Sequence, residues 1–192
     1  MIKPEIIFGR LGNRMFQMAF CIAYAKRNGL DFYYQDPKFF EGCEEDIKIL
    51  FGEGIGYLSQ VGIHIRRGKN PFIPSEPKYN ENPFHFNISD TDYYERAMAL
   101  FPNEKFLVFT DDVEWANKKF KDNPDVQVMG KGDEVEDMNL FASTKHQIIA
   151  NSSWSFWGAW LCPNDGHRVI APKLWYADGV ERTKLPDNWV KI

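Results

Sequence analysis

The chain has 192 residues, 44% of them hydrophobic and 16% aromatic, so it is long enough to bury a core and too apolar for a disordered tail. A formal net charge of −4 at pH 7 offers no broad field for nucleic acid, and any basic site must be built locally. The three cysteines, Cys21, Cys43 and Cys162, are widely spaced and form no CxxC pair, which argues against a disulfide framework or a zinc pattern and fits a reducing compartment.

The opening MIKPEIIFGR carries too short an apolar run for a signal peptide, and no segment reaches the ~18 apolar residues of a membrane span. A soluble, cytoplasmic protein is expected. Glu5–Phe8 reads as a strand, residues 9–13 (GRLGN) as a glycine-bearing turn, Met15–Arg27 as a helix closed by Asn28-Gly29, and Asp31–Gln35 as a second strand. Residues 36–60 are broken by four glycines and read as loop. Val61–Ile65 alternates like a strand with one face in a core, and Lys69–Asp90, with four prolines, reads as an irregular loop.

The remainder alternates helix and strand. Helices are predicted over Thr91–Phe101, Val113–Lys121, Val135–Lys145 and Ser153–Leu161; strands are predicted over Lys105–Phe109, Val126–Met129, Gln147–Ala150 and Arg168–Ala171. This pattern implies an α/β fold, a Rossmann-like open sheet, mostly parallel, whose ligands sit beyond the C-terminal ends of the strands.

Three polar clusters fall at that rim. Arg66 and Arg67 end the VGIHI strand, and a pair of guanidiniums there suits an anion held in two places, with a solvated surface pair as the plain alternative. Asp111 and Asp112 follow KFLVF, where a carboxylate could take guanine protons or a ribose hydroxyl, and where Asp112 is about as good a helix N-cap. Asn151, Ser152 and Ser153 lead the QIIA strand into a helix start, whose open amides and dipole favour an anion unless the Ser/Asn run is an ordinary cap. Trp154, Phe156, Trp157 and Trp160 read as core. GRLGN is not a dinucleotide fingerprint, and no P-loop occurs.

Taken together, GRLGNRMFQMAF (9–20), VGIHIRRG (61–68), FLVFTDD (106–112), DMNLFASTKHQIIANSSWSFWGAWL (137–161) and the tail from Ala171 resemble, in this order, the α-1,2-fucosyltransferases of glycosyltransferase family 11. That resemblance implies a GT-B related architecture with a reduced N-terminal half. Residues 1–60 would be a βαβ acceptor-side segment and 61–192 a Rossmann-like nucleotide-sugar-binding domain. It implies an inverting transfer of fucose from GDP-fucose to a hydroxyl of a glycan acceptor, with neither metal nor other cofactor.

On the same resemblance Arg66 or Arg67 neutralises the diphosphate leaving group, with Ser152, Ser153 or Ser155 donating beside it. His64 and Asp111 or Asp112 hold the guanosine, and Asn13 stands near the sugar or acceptor. Two departures stand out: Lys69 occupies a position where the family usually has an acidic residue, and the stretch before the arginine strand is shorter than in relatives. The catalytic base is open among His85, Glu81 and Asp90. A non-catalytic sugar-nucleotide or glycan binder and a transferase for another GDP-sugar are the alternatives, and a dimer that completes the shortened half is a further one.

Overall fold

Five residues, Val61–Ile65, form strand β1, and all five are buried. The expectation of one core face is therefore corrected: both faces are covered, as in the middle of a parallel sheet. Val61, Ile63 and Ile65 join the main apolar cluster on one face. Gly62 and His64 point to the other, where a Cβ on Gly62 would lie 2.9 Å from the Phe141 ring and the His64 ring lies 4.6 Å from that of Trp154.

The structure, a computed structural model, describes residues 11–29, 51–52, 55–68, 77–130 and 132–192. The strands expected at Glu5–Phe8 and Asp31–Gln35, Cys43, most of 36–60 and Lys69 lie outside those residues. The chain divides into two compact units, Met1–Ile55 and Gly56–Ile192.

In the first unit, helix α1 spans Leu11–Arg27. It begins four residues before the predicted Met15, so Asn13 sits in its first turn, exposed, rather than in a preceding loop. Lys26 and Arg27 complement the negative end of the helix dipole. Gly29 then adopts φ +59°, the left-handed conformation that ends helices cheaply only for glycine or asparagine, and Asn28 donates to the Tyr24 carbonyl.

In the second unit β1 is followed by two single-turn 3-10 helices at Tyr79–Glu81 and Ile88–Asp90, then α2 (Tyr93–Met98), β2 (Phe106–Thr110), α3 (Val113–Phe120), β3 (Val126–Val128), α4 (Glu134–Ala142), β4 (His146–Ile148), α5 (Ser153–Trp160), β5 (Val169–Ala171) and β6 (Val190–Lys191). The sheet order is β3-β2-β1-β4-β5-β6, and all five pairings are parallel. The chain winds outward from β1 through β2 to β3 and then crosses back to β4. This is a Rossmann-like doubly wound sheet with its switch point between β1 and β4, where ligands of such folds collect.

Residues of α2 and α3 (Tyr93, Tyr94, Ala97, Ala116, Phe120) cover one face together with Ile63, Val108 and Ile148. On the other face α4 and α5 pack together over Gly62 and His64. Phe141 of α4 is the wedge: a Cβ on Gly62 or on Gly158 of α5 would approach its ring to 2.9 or 2.5 Å. Two glycines thus let one aromatic ring fill the space between strand and helix. Asp133 caps α4 by accepting from the amides of Val135 and Glu136. The two-residue β6 had no readable sequence signal, being too short for any alternation to show.

Candidate functional site

The sheet delivers three segments to one rim. β1 ends in Arg66-Arg67-Gly68, β2 in Asp111-Asp112, and β4 runs through Ile149 and Ala150 into Asn151-Ser152 and the start of α5. Parallel register places Ile65 beside Thr110 and Ile63 beside Ile148, so the three ends lie side by side.

The two arginines part company. Arg67 faces Ser89 and Trp115: its Nη1 donates to Ser89 Oγ (2.5 Å) and Asp90 Oδ1 (3.1 Å), its Nε to Asp112 Oδ2 (3.4 Å), and its guanidinium lies 4.2 Å from the Trp115 ring centroid. Both side chains are equally shielded, 11% exposed for Arg67 and 10% for Arg66. Arg66 instead forms an ion pair with Asp111 and lies over the Tyr79 ring, 5.2 Å from its centroid.

Asp111 is a strut. One of its oxygens, Oδ1, accepts from the backbone amides of Arg67 and Gly68, both at 2.8 Å, while Oδ2 meets Arg66. Gly68 is what permits this, since a Cβ there would stand 2.9 Å from the Asp111 carboxylate carbon. Asp112 caps α3 by accepting from the Trp115 amide at 3.2 Å and shares Arg67. The geometry thus gives both aspartates work in shaping the arginine loop.

At the helix start the hydroxyls are also sorted. Ser155 is fully buried and donates to the carbonyls of Ala150 and Ser152 at 3.2 Å. Ser152, the N-cap of α5, makes no side-chain cap hydrogen bond. Ser152 and Ser153 are both half-buried on the rim. Asn151 is buried and its Nδ2 donates to the carbonyls of Phe86 (2.8 Å) and Trp175 (2.9 Å), clipping two loops to the rim. His64 lies one layer below, against Trp154, and Tyr94 Oη donates to its carbonyl at 3.1 Å.

Tyr79 connects the arginine to the helix start. Its hydroxyl donates to the Asn151 carbonyl while its ring lies beneath Arg66 and stacks on His85 at 4.1 Å. Burial pushes its hydroxyl far above the ordinary tyrosine range, so it remains a donor. Of the three candidate bases, Glu81 faces Lys78 at 3.9 Å, Asp90 faces Arg67, and His85 belongs to this stack. Asn13 belongs to the other unit. Among the described residues, no three His, Cys, Asp or Glu side chains gather as metal ligands would.

The sequence profile of Glycosyl transferase family 11 matches residues 11–192. The chain belongs to that family. Among its curated relatives, the O-antigen biosynthesis glycosyltransferase WbnK of Escherichia coli is 33% identical over 140 residues, 69% of this chain and 44% of the relative. An alpha-1,2-colitosyltransferase of the same organism is 30% identical over 185 residues, 83% of this chain and 61% of the relative. The mouse galactoside 2-alpha-L-fucosyltransferase Sec1 is 27% identical over 113 residues, 55% of this chain and 29% of the relative. The chain thus spans about half the length of the first two. No solved structure matches it.

Within this family 11 chain, sequence reasoning missed Tyr79, Ser89 and Trp115. Tyr79 lies in a proline-rich loop without periodicity, and Trp115 reads from the sequence as one more helical apolar residue. The hydroxyl-acid run Asn87-Ile88-Ser89-Asp90 was the available signal, since Ser and Asp placed ahead of a helix often bind a neighbouring cation or amide. Among the described residues, no helix is long and apolar enough to cross a membrane.

Proposed function

We propose that residues 56–192 are the nucleotide-sugar half of an inverting, GT-B type glycosyltransferase that moves fucose from GDP-fucose to a glycan hydroxyl in α-1,2 linkage, without a metal. The observation that carries this reading is the meeting of Arg66 and the α5 start at the sheet's switch point, joined through Tyr79. A cation over one side and the first-turn amides of a helix at the other form a cradle for a diphosphate.

In this reading the acceptor oxygen attacks the anomeric carbon, a base removes its proton, and the bond from that carbon to the β-phosphate oxygen breaks. Negative charge then accumulates on the departing diphosphate. Arg66 and the amides at Ser153 and Trp154 stabilise it in place, and losing one such charged donor costs about 10²–10³-fold in rate. Arg67, Asp111 and Asp112 hold Arg66 in position and are positioning residues. The buried thiols of Cys21 and Cys162 suit a reducing compartment, and we place the protein in the cytoplasm.

Calorimetric titration of GDP-fucose, GDP-mannose and GDP in EDTA, followed by acceptor-dependent GDP release, tests the proposal. Selective GDP-fucose binding that Arg66→Ala abolishes, with turnover in the wild type, is expected. Tight binding without turnover across a panel of glycans would make the chain a sugar-nucleotide binder, a reading favoured by the three carboxylates of Asp90, Asp111 and Asp112 around two arginines. Preference for GDP-mannose would replace the donor.

A further inference from the structure

Beside the rim, the loop from Tyr79 to Phe86 and the loop from Trp175 to Thr183 rise together as one wall. A short antiparallel ladder joins them: Phe86 N donates to Trp175 O, Ala177 N donates to Phe84 O, both at 3.1 Å, and His85 bridges Tyr176. Asn151 fastens the foot of that ladder to the start of α5. The wall's rings continue outward from Arg66, with Tyr79 stacked on His85 at 4.1 Å, His85 on Tyr176 at 6.3 Å, and Phe84 edge-on to Tyr176 at 5.0 Å.

Phe84 is 52% exposed although its backbone is fixed by this ladder, and Leu174 and Val180 nearby are 41% and 51% exposed. An aromatic ring kept rigid but outside the core contributes little to folding and much to recognition. Two of the charges beside it are paired: Arg182 grips Asp178 with two hydrogen bonds while its guanidinium lies 5.7 Å from the Phe84 ring centroid and 5.0 Å from that of Tyr176, and Lys191 faces Glu181 at 3.3 Å. Trp175 lines a hollow with Leu174 and Val180, and its shielded indole N–H meets no acceptor among the described residues.

We infer that this wall is a binding surface for an uncharged sugar, the acceptor glycan, whose C–H face stacks on Phe84 and whose oxygens take donors of the wall. The inference rests on the transferase reading for the word acceptor; sugar binding itself is independent of it. Ring faces carry negative quadrupole charge and favour the weakly positive C–H face of a pyranose. With Arg182 and Lys191 each already paired to a carboxylate, the wall favours a neutral occupant over a phosphorylated one, which leaves the diphosphate to the Arg66 side. The rigid ladder spares the ordering cost that a floppy loop would impose on binding.

Saturation-transfer NMR on the full chain with neutral methyl glycosides of galactose, glucose, N-acetylglucosamine and N-acetylgalactosamine, with and without GDP, reads the wall directly. Transfer to ring protons of at least one glycoside is expected, weakened about two- to tenfold in Kd by Phe84→Ala, the range a lost ring contact produces. Leu100→Ser, an exposed apolar residue at the opposite end of the sheet, should leave it unchanged. No transfer from any glycoside, or equal transfer in Phe84→Ala, overturns the inference. Loss in Phe84→Ala of transfer to the guanine proton of GDP, with sugars silent, reassigns the wall to the nucleotide. GDP-fucose binding and its loss in Arg66→Ala report separately on the transferase reading, so the two failures are distinguishable.

Discussion

Replacing Arg67 by alanine separates the two arginines of the motif. The change removes the bonds to Ser89 at 2.5 Å and Asp112 at 3.4 Å and the stack on Trp115 at 4.2 Å, around a side chain only 11% exposed. The Ser89 and Asp112 contacts are charge-assisted but partly wet, and about 1 kcal/mol each is a fair value after screening. The Trp115 stack adds about 0.5–1 kcal/mol, and Asp90, 63% exposed, adds almost nothing. The total is about 3 kcal/mol, or about 6–12 °C in Tm for a chain of this size. Arg67→Lys keeps the charge and loses the planar fork, so it should fall between. Urea unfolding followed by tryptophan fluorescence reads both variants. Arg66→Ala should cost less, because Asp111 keeps its two backbone amides. An Arg67→Ala protein within about 0.5 kcal/mol of wild type that has lost GDP binding would refute this assignment and make Arg67 the diphosphate ligand.

Gly62→Ala and Gly158→Ala should each lose about 1–3 kcal/mol by overpacking against Phe141, and adding Phe141→Leu to Gly158→Ala should recover part of it in denaturant titration. Asn151→Asp puts a carboxylate against the Phe86 and Trp175 carbonyls, which raises its folded pKa above the unfolded one. Its penalty relative to wild type should therefore be small at about pH 4 and grow towards about pH 7, as urea midpoints at both pH values would show; a pH-independent difference would contradict the clip. His146 is held below its ordinary pKa, first by burial and then by Lys145, and its Nδ1 accepts from the Arg168 amide at 3.0 Å, which requires the neutral ring. Its contribution to stability is present above the unfolded value near 6.5 and is lost as pH falls through the lower folded value; His146→Gln should flatten that slope in acid titrations.

Much of the architecture was legible because it rests on local signals. Alternating apolar strands and helices announced the doubly wound sheet, and each predicted strand within the described residues of 61–171 lies within two residues of its observed bounds. Ser152-Ser153 and Asp112 at strand-to-helix junctions marked helix starts, because Ser and Asp favour such positions wherever they occur. Family 11 membership was equally readable, since the tryptophan-rich segment 137–161 is distinctive in composition and spacing.

What the sequence by itself determined is the order of the elements and the residue types brought to the rim, since periodicity and capping act over a few neighbouring positions. Only the tertiary structure decided how those residues divide their labour. Arg66 and Arg67 are adjacent and chemically identical, yet Trp115, Ser89 and Asp112 enclose one while Tyr79 and Asp111 receive the other. Those partners lie between 13 and 48 positions away in the chain, and Asp111 and Asp112 meet the arginines only because the parallel sheet sets strand ends side by side. Side chains that leave neighbouring positions in different directions find different neighbours, and a one-dimensional pattern carries no record of which.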